Sequence, residues 1–169
     1  MLTVISDTHG TDGHRLAGRT LDAVREADHV VHAGDFTTEA VLDAVEAECD
    51  RFTGVIGNND SPAVRDRLPD VATLSWSGLR VVVAHGHEHT ETSLSLLARQ
   101  EDADVVVVGH SHNPTVTEFG GWTLVNPGSY ADPRRYRPAH AELTTDAGAV
   151  RIRLRSPDGT PLSTTVVER

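Results

Sequence analysis

An α/β sandwich is the fold class this sequence predicts, and three observations predict it. The first two-thirds alternates strand-like and helix-like runs, the last third is a series of short strands around turn residues, and five strands end in polar residues. Alternating β and α elements followed by antiparallel strands suit sheets packed together with helices outside.

The elements follow in order. Leu2–Ser6 is a short apolar run that stops at Asp7. Leu16, Leu21 and Val24 have helical spacing within Leu16–Ala27, and His29–Ala33 is a strand ending at Gly34-Asp35. Thr38–Glu48 reads as a helix capped by Thr37 or Thr38, and Phe52–Ile56 as a strand ending at Gly57-Asn58. Val71–Trp76 and Leu79–Ala84 form a hairpin around Ser77-Gly78, and the second strand stops at His85. Thr92–Gln100 is a helix; Val105–Val108 is a strand ending at Gly109-His110. Thr115–Phe119 and Trp122–Val125 flank Gly120-Gly121, and His140–Thr144 and Val150–Leu154 flank Asp146-Ala147-Gly148, both hairpin signatures. Thr164–Val167 adds an edge strand. The 169 residues show no linker or repeat, so residues 1–169 are expected to form one domain.

Composition narrows the function classes. The 25 acidic residues outnumber the 15 basic ones, every basic residue is Arg, and the formal charge is -10. Such a surface keeps a protein soluble by self-repulsion, a lever halophiles use, so a halophilic source is expected; a genome favouring Arg codons gives the same bias. The charge disfavours nucleic acid as a partner without excluding it, because molar salt shortens screening to about 3 Å. The lone Cys49 cannot form an internal disulfide and reads as a buried, reduced thiol. No signal peptide and no membrane-length apolar run is visible, which makes the cytoplasm the default compartment. Assembly is left open, a homo-oligomer included. Trp76 and Trp122 are expected to pack rather than to stack on bases.

The five polar strand ends are Asp7-Thr8-His9, Gly34-Asp35, Gly57-Asn58, His85-Gly86-His87 and Gly109-His110-Ser111-His112. Ligands of α/β sheets bind outside the carboxyl ends of strands. In extended chain, residues two apart point to one side, so Asp7 and His9 can face one cation and His110 and His112 one cavity. Asp7, His9, Asp35, Asn58, His85, His110 and His112 offer oxygen and imidazole donors that suit Mn²⁺ first, with Ni²⁺, Co²⁺, Zn²⁺ or Fe as alternatives. One ion rarely takes seven such ligands; two ions sharing a carboxylate such as Asp35 do. Two dications against two carboxylates leave positive charge for an anionic substrate and a hydroxide.

In this order and spacing the motifs resemble those of the calcineurin-like metallophosphoesterases. Asn126-Pro127-Gly128-Ser129 followed by Asp132-Pro133-Arg134 is similar to the family's compact, single-domain phosphodiesterase branch, which includes the retromer small subunit. The resemblance implies a four-layer αββα sandwich of two mixed β-sheets flanked by helices. It implies two divalent ions, one held by Asp7, His9 and His112, the other by Asn58, His85 and His110, with Asp35 bridging. It implies hydrolysis of a small phosphoester, most of all a diester, by a metal-bridging hydroxide. Many members carry a histidine after the metal-binding asparagine; Asn59 stands there, and a neutral amide cannot act as a general acid.

The remaining assignments have alternatives. Catalytic roles fall to Asn58, His87 and Asp60: His87 as a proton donor or an exposed loop residue, Asp60 as an orienter of a ligand or a cap of the Ser61-Pro62 turn. Asn59, Asn126 and Ser129 are substrate-binding candidates, although Asn-Pro-Gly is also an ordinary turn. Arg134 meets either the substrate or an acidic surface partner. A non-catalytic interaction module on the same fold is the rival function. A lactone hydrolase is disfavoured because the sequence has no His-x-His-x-Asp-His cluster.

Overall fold

The computed structural model describes residues 1–146 and 148–167. Along the chain run β1 (Leu2–Ile5), α1 (Gly18–Glu26), β2 (His29–His32), α2 (Glu39–Glu46), β3 (Phe52–Gly54), α3 (Pro62–Arg65), β4 (Val71–Trp76) and β5 (Leu79–Ala84). There follow α4 (Glu91–Gln100), β6 (Val105–Val107), β7 (Thr115–Phe119), β8 (Trp122–Asn126), β9 (His140–Asp146), β10 (Ala149–Arg155) and β11 (Pro161–Val167). Ala147, in the turn expected between β9 and β10, lies outside the described residues.

Two mixed sheets form. One has the order β11-β10-β9-β1-β2-β3, the other β4-β5-β6-β8-β7. The central pairs β1–β2, β2–β3, β5–β6 and β6–β8 are parallel, and antiparallel strands complete each sheet. Parallel strands covered on both faces need apolar residues throughout, which explains the unbroken Val81–Val83 and Val105–Val107 runs. Leu2, Val4, Val31 and Ile152 of the first sheet meet Val81, Val83, Val107 and Val125 of the second in the central core. Outside the first sheet, Val24 of α1 and Val45 of α2 pack with Ile5 and Val30. Outside the second, Leu94 and Ala98 of α4 pack with Val82, Val106 and Trp122. The layers are therefore helix, sheet, sheet, helix.

Several boundaries differ from the sequence expectation. α1 is shorter at both ends, and β3 stops at Gly54 while Val55, whose N–H still donates to His32 O at 3.2 Å, and Ile56 run on toward the site. The short α3 was read only as a turn; Pro62 at its start carries a fixed φ that suits a first helical turn. α2 ends at Glu46, so Cys49 lies beyond the helix and is half-buried rather than buried. Burial, reinforced by Glu46, Asp50 and Glu48, pushes its thiol up to about 11, as an inert cysteine requires. Both tryptophans are buried, and Trp122 stacks on Phe119 with ring centroids 4.4 Å apart.

A second polar cluster locks α1 to the first sheet. Glu142 of β9 is buried, and its carboxylate accepts from Arg19 Nε at 2.7 Å, Arg155 Nε at 3.1 Å and His140 Nε2 at 3.1 Å. Burial alone would raise this carboxyl, but hydrogen bonds from His140 and Arg19 outweigh it and hold the pKa at about 2. A depressed folded-state value stabilises the fold above the ordinary carboxyl range, and the stabilisation is lost as pH falls from about 4.5 toward 2. Glu142→Gln should cost about 2 kcal/mol at neutral pH by leaving two guanidinium groups short of charge. Urea unfolding at pH 7 and at pH 3 should show the gap to wild type narrowing in acid; an equal gap at both would contradict this account.

Candidate metal centre

The two sheets bring their carboxyl ends to one edge of the sandwich. β1 delivers Asp7 and His9, β2 delivers Asp35, and the chain after β3 delivers Asn58. β5 delivers His85, and the loop after β6 delivers His110 and His112. All seven residues singled out as donors converge. His112 Nε2 lies 3.2 Å from Asp7 Oδ1 and 3.5 Å from His9 Nε2. Asn58 Oδ1 stands between His85 Nε2 at 3.1 Å and His110 Nδ1 at 3.0 Å. Asp35 Oδ2 lies 3.4 Å from His85 Nε2 and 3.8 Å from His9 Nε2, which places it between the two trios. Asp7-His9-His112 and Asp7-Asp35-His85 each bring their donor atoms within 4.8 Å of one another. Asp7 thus stands as close to a shared position as Asp35.

The local backbone is unusual. Asp7, His9, Asp35, His110 and His112 have φ of 52°, 32°, 62°, 62° and 58°. The left-handed region costs an L-residue about 1 kcal/mol or more each, and Asp and His are among the side chains that tolerate it best. The chain turns sharply just after each strand, and the ladder continues around the turns. Asp7 N–H donates to Gly34 O at 2.9 Å, His9 N–H to Asp35 O at 3.1 Å and Gly109 N–H to His85 O at 3.0 Å.

The histidines are aimed by what their other nitrogen does. His85 Nδ1 donates to Ala33 O at 2.6 Å, His112 Nδ1 donates to Asp132 O, and His9 Nδ1 lies 3.4 Å from Thr37 Oγ1. In that tautomer each Nε2 turns a lone pair into the pocket, the usual arrangement behind a metal-ligating imidazole. Asp7 Oδ2 accepts from Ser6 Oγ at 2.7 Å and from His110 N–H at 3.0 Å, while Asp7 Oδ1 is buried with no hydrogen-bond partner. Facing imidazole lone pairs and an unpartnered buried carboxylate oxygen are mismatched with one another and matched by cations. The donor set therefore fits divalent metal.

Electrostatics follow the same geometry. Burial would raise the Asp35 carboxyl, but hydrogen bonds from His85 and from the Asn59 backbone hold it well below the usual range. Burial would lower His85 and His112, but Asp35 in the first case and Asp7 in the second raise both. Burial, helped by the charge on His85, lowers His110.

Other residues hold the donors. Asp60 accepts from the N–H groups of Asp35 at 3.1 Å, Thr37 at 2.7 Å and Gly57 at 2.7 Å, so it pins two donor loops together. Asn59 donates to both oxygens of Asp35, from its backbone at 2.8 Å and its side chain at 2.7 Å. Asn126 donates to Gly109 O at 2.8 Å and Ser129 donates to Asp7 O at 2.7 Å, so both brace donor loops from behind. His87 stands outside the pocket, its ring 5.4 Å from that of His85 and 6.1 Å from that of His110. Sequence reasoning missed Ser6, Thr37, His32 and the carbonyls of Ala33 and Asp132. Asp132 sits in a motif already singled out; a backbone carbonyl leaves no residue-type signal.

The sequence profile of the calcineurin-like phosphoesterase superfamily domain matches residues 1–148. A probable metallophosphoesterase of Methanothermobacter thermautotrophicus is 31% identical over 86% of this chain and 86% of its own length. A phosphodiesterase of Methanocaldococcus jannaschii is 23% identical over 74% of this chain and 81% of its own. The structure of Vacuolar Protein Sorting 29 from Cryptosporidium parvum superposes with a TM-score of 0.81, at 18% identity, over 99% of this chain and 97% of that one. The fold and the site describe a metallohydrolase-type sandwich with its donors at the strand ends. The chain belongs to the calcineurin-like phosphoesterase superfamily.

Glycine packing tests the site. A Cβ on Gly57 would fall 2.1 Å from Asp35 Oδ1, and one on Gly109 would fall 2.0 Å from Ser6 Oγ and 2.7 Å from Asp7 Oδ2. Gly57→Ala and Gly109→Ala should each weaken Mn²⁺ binding by about tenfold or more, as losses behind a ligand do. Calorimetric titration would show this, and wild-type affinity in both variants would contradict the geometry.

Proposed function

We propose that the chain hydrolyses small phosphoesters, diesters above monoesters, at a dinuclear metal centre. The observation that carries this is the convergence of seven donors from two sheets, with the buried Asp7 Oδ1 left without a hydrogen bond and facing the His112 imidazole. Family membership and the phosphodiesterase among its relatives support the reaction class. When bound, two divalent ions, Mn²⁺ first, would activate water as the nucleophile and supply positive charge for the phosphoryl oxygens.

The protein's own groups do the rest. Asp7, His9 and His112 hold one position, Asn58, His85 and His110 the other, and Asp35 is shared. Asp60 and Asn59 fix the Asp35 carboxylate through the contacts above, and Asn126 and Ser129 fix the loops. A new P–O bond forms as the ester P–O bond breaks, and the departing oxygen takes a proton. Asn59 has no proton to give at neutral pH. His87 is an imidazole outside the donor set, its ring 5.4 Å from that of His85 and its Nε2 3.8 Å from Glu88 Oε1. His87 therefore protonates poor leaving groups, and nitrophenolates leave without it.

The rival reading is a protein-interaction module without catalysis, favoured by the likeness to Vacuolar Protein Sorting 29. Retention of every donor favours the enzyme. Purified protein with Mn²⁺ should cleave bis-p-nitrophenyl phosphate, and Asp35→Asn or His85→Ala should lower kcat by about a hundredfold or more, as loss of an electrostatic catalytic group does. Absence of turnover with Mn²⁺, Ni²⁺, Co²⁺ and Zn²⁺, at both low and molar salt, would leave only the rival. Mn²⁺ at about a hundred times its Kd should also add about 2.7 kcal/mol to wild-type stability in thermal scans, and much less to His85→Ala.

A further inference from the structure

Two cavities of opposite character flank the donor cluster. One, of about 320 Å³, is lined by Arg15, Tyr130, Ala131, Pro138 and Pro157. It adjoins the first trio: Arg15 Nη2 donates to His9 O at 3.4 Å, and Asp132, which follows Ala131, receives His112 Nδ1. The other, of about 230 Å³, has Leu94, Val108, Thr115 and Leu124 in its wall with His110 and Asn126, and adjoins the second trio.

Charge separates them. Among the described residues Arg15, like Arg135 and Arg137, has no carboxylate at ion-pair distance, whereas Arg19, Arg25, Arg67 and Arg80 each have at least one. The segment bordering the first cavity carries Arg134, Arg135 and Arg137 against one acid, Asp132, in a chain whose net charge is -10. Arg134 meets that acid only loosely, at 3.8 Å. Arg15 and Arg134 also have φ of 51° and 52°. Arginine has no side-chain reason to adopt that conformation, and such backbone persists only where the surrounding structure holds it. The second cavity is lined by no Asp, Glu or Arg.

A phosphodiester has two substituents on phosphorus, and a centre with one cavity on each side receives one in each. We propose that the preferred substrates are diesters with unlike arms: an anionic arm, bearing a second phosphate or a carboxylate, in the Arg15 cavity, and an uncharged, largely apolar arm in the Leu94 cavity. This rests on the hydrolase reading and names its substrate class. A guanidinium free of carboxylates binds a phosphate in bidentate fashion and discriminates strongly against an arm that lacks it.

The test compares the 5′-p-nitrophenyl ester of thymidine 3′,5′-bisphosphate with the same ester lacking the 3′-phosphate, with Mn²⁺, alongside bis-p-nitrophenyl phosphate. Wild type should favour the bisphosphate ester in kcat/KM by about tenfold or more, the equivalent of one charge-assisted hydrogen bond. Arg15→Ala should reduce that preference to about twofold, Arg15→Lys should keep part of it, and Arg134→Ala should lower it without abolishing it. Equal rates on the two thymidine esters in wild type, or a preference that survives Arg15→Ala, would overturn the proposal while bis-p-nitrophenyl phosphate turnover keeps the hydrolase reading intact. Should none of the three esters be cleaved, the hydrolase reading fails by itself. Calorimetric binding of thymidine 3′,5′-bisphosphate then decides the cavity: weaker binding by Arg15→Ala supports an anion subsite, and unchanged or absent binding removes it.

Discussion

Two carboxylates buried at the ends of neighbouring parallel strands are the constraint on which the rest of the molecule depends. Asp7 and Asp35 follow β1 and β2, whose register pairs Ile5 with His32, so the pairing that builds the sheet also sets the acids side by side. Water is largely excluded from both, and like charges in such a place are costly unless something positive is near. The imidazoles of His85 and His112 answer part of that need, and divalent metal fits the rest. The surrounding loops bend through left-handed backbone to bring those groups within reach. Asp60, Ser6 and Asn59 spend their hydrogen bonds holding the acids and their loops still.

Most of the framework was legible because the relevant signals are local. Valine runs marked the buried parallel strands, Gly-containing turns marked the hairpins, and the polar residue after each strand marked the site. What escaped depended on contacts between distant parts of the chain. The length of β3 is set by its pairing with β2, not by the apolar run that continues to Ile56. α3 is one turn long, too short for periodicity to reveal. Seven candidate donors could be named from residue type and position, but of their supports only Asp60 could be, as an orienter. His32 shows why: it looks like an ordinary strand histidine, yet it is fully buried, accepts from Gly34 N–H at 3.1 Å and meets Thr8 Oγ1 at 3.0 Å, joining the two acid-bearing loops from beneath. Asn126 and Ser129 are substrate-binding candidates from the sequence; the structure gives their side chains backbone partners in the donor loops.

Fold and function separate in this architecture. The same sandwich is shared with Vacuolar Protein Sorting 29 at low identity, and the layers alone do not define an activity. The distinction lies in a few side chains at strand ends and in the grooves beside them. Among the described residues no helix is long and apolar enough to cross a membrane. The acidic surface, whatever its origin, leaves the arginine-bearing segment near the site as a local exception.

The hydrogen bond from His85 to the Ala33 carbonyl crosses from one sheet to the other. It orients the imidazole, and it also makes that ring a gauge of the gap between the layers. A methyl group added or removed deep in the valine-rich interior changes that gap by a fraction of an ångström. The imidazole, tethered at its far nitrogen, would swing with it. Packing errors far from the pocket would thus surface as altered ion affinity, and drift in the sandwich's interior is held in check by chemistry at its rim.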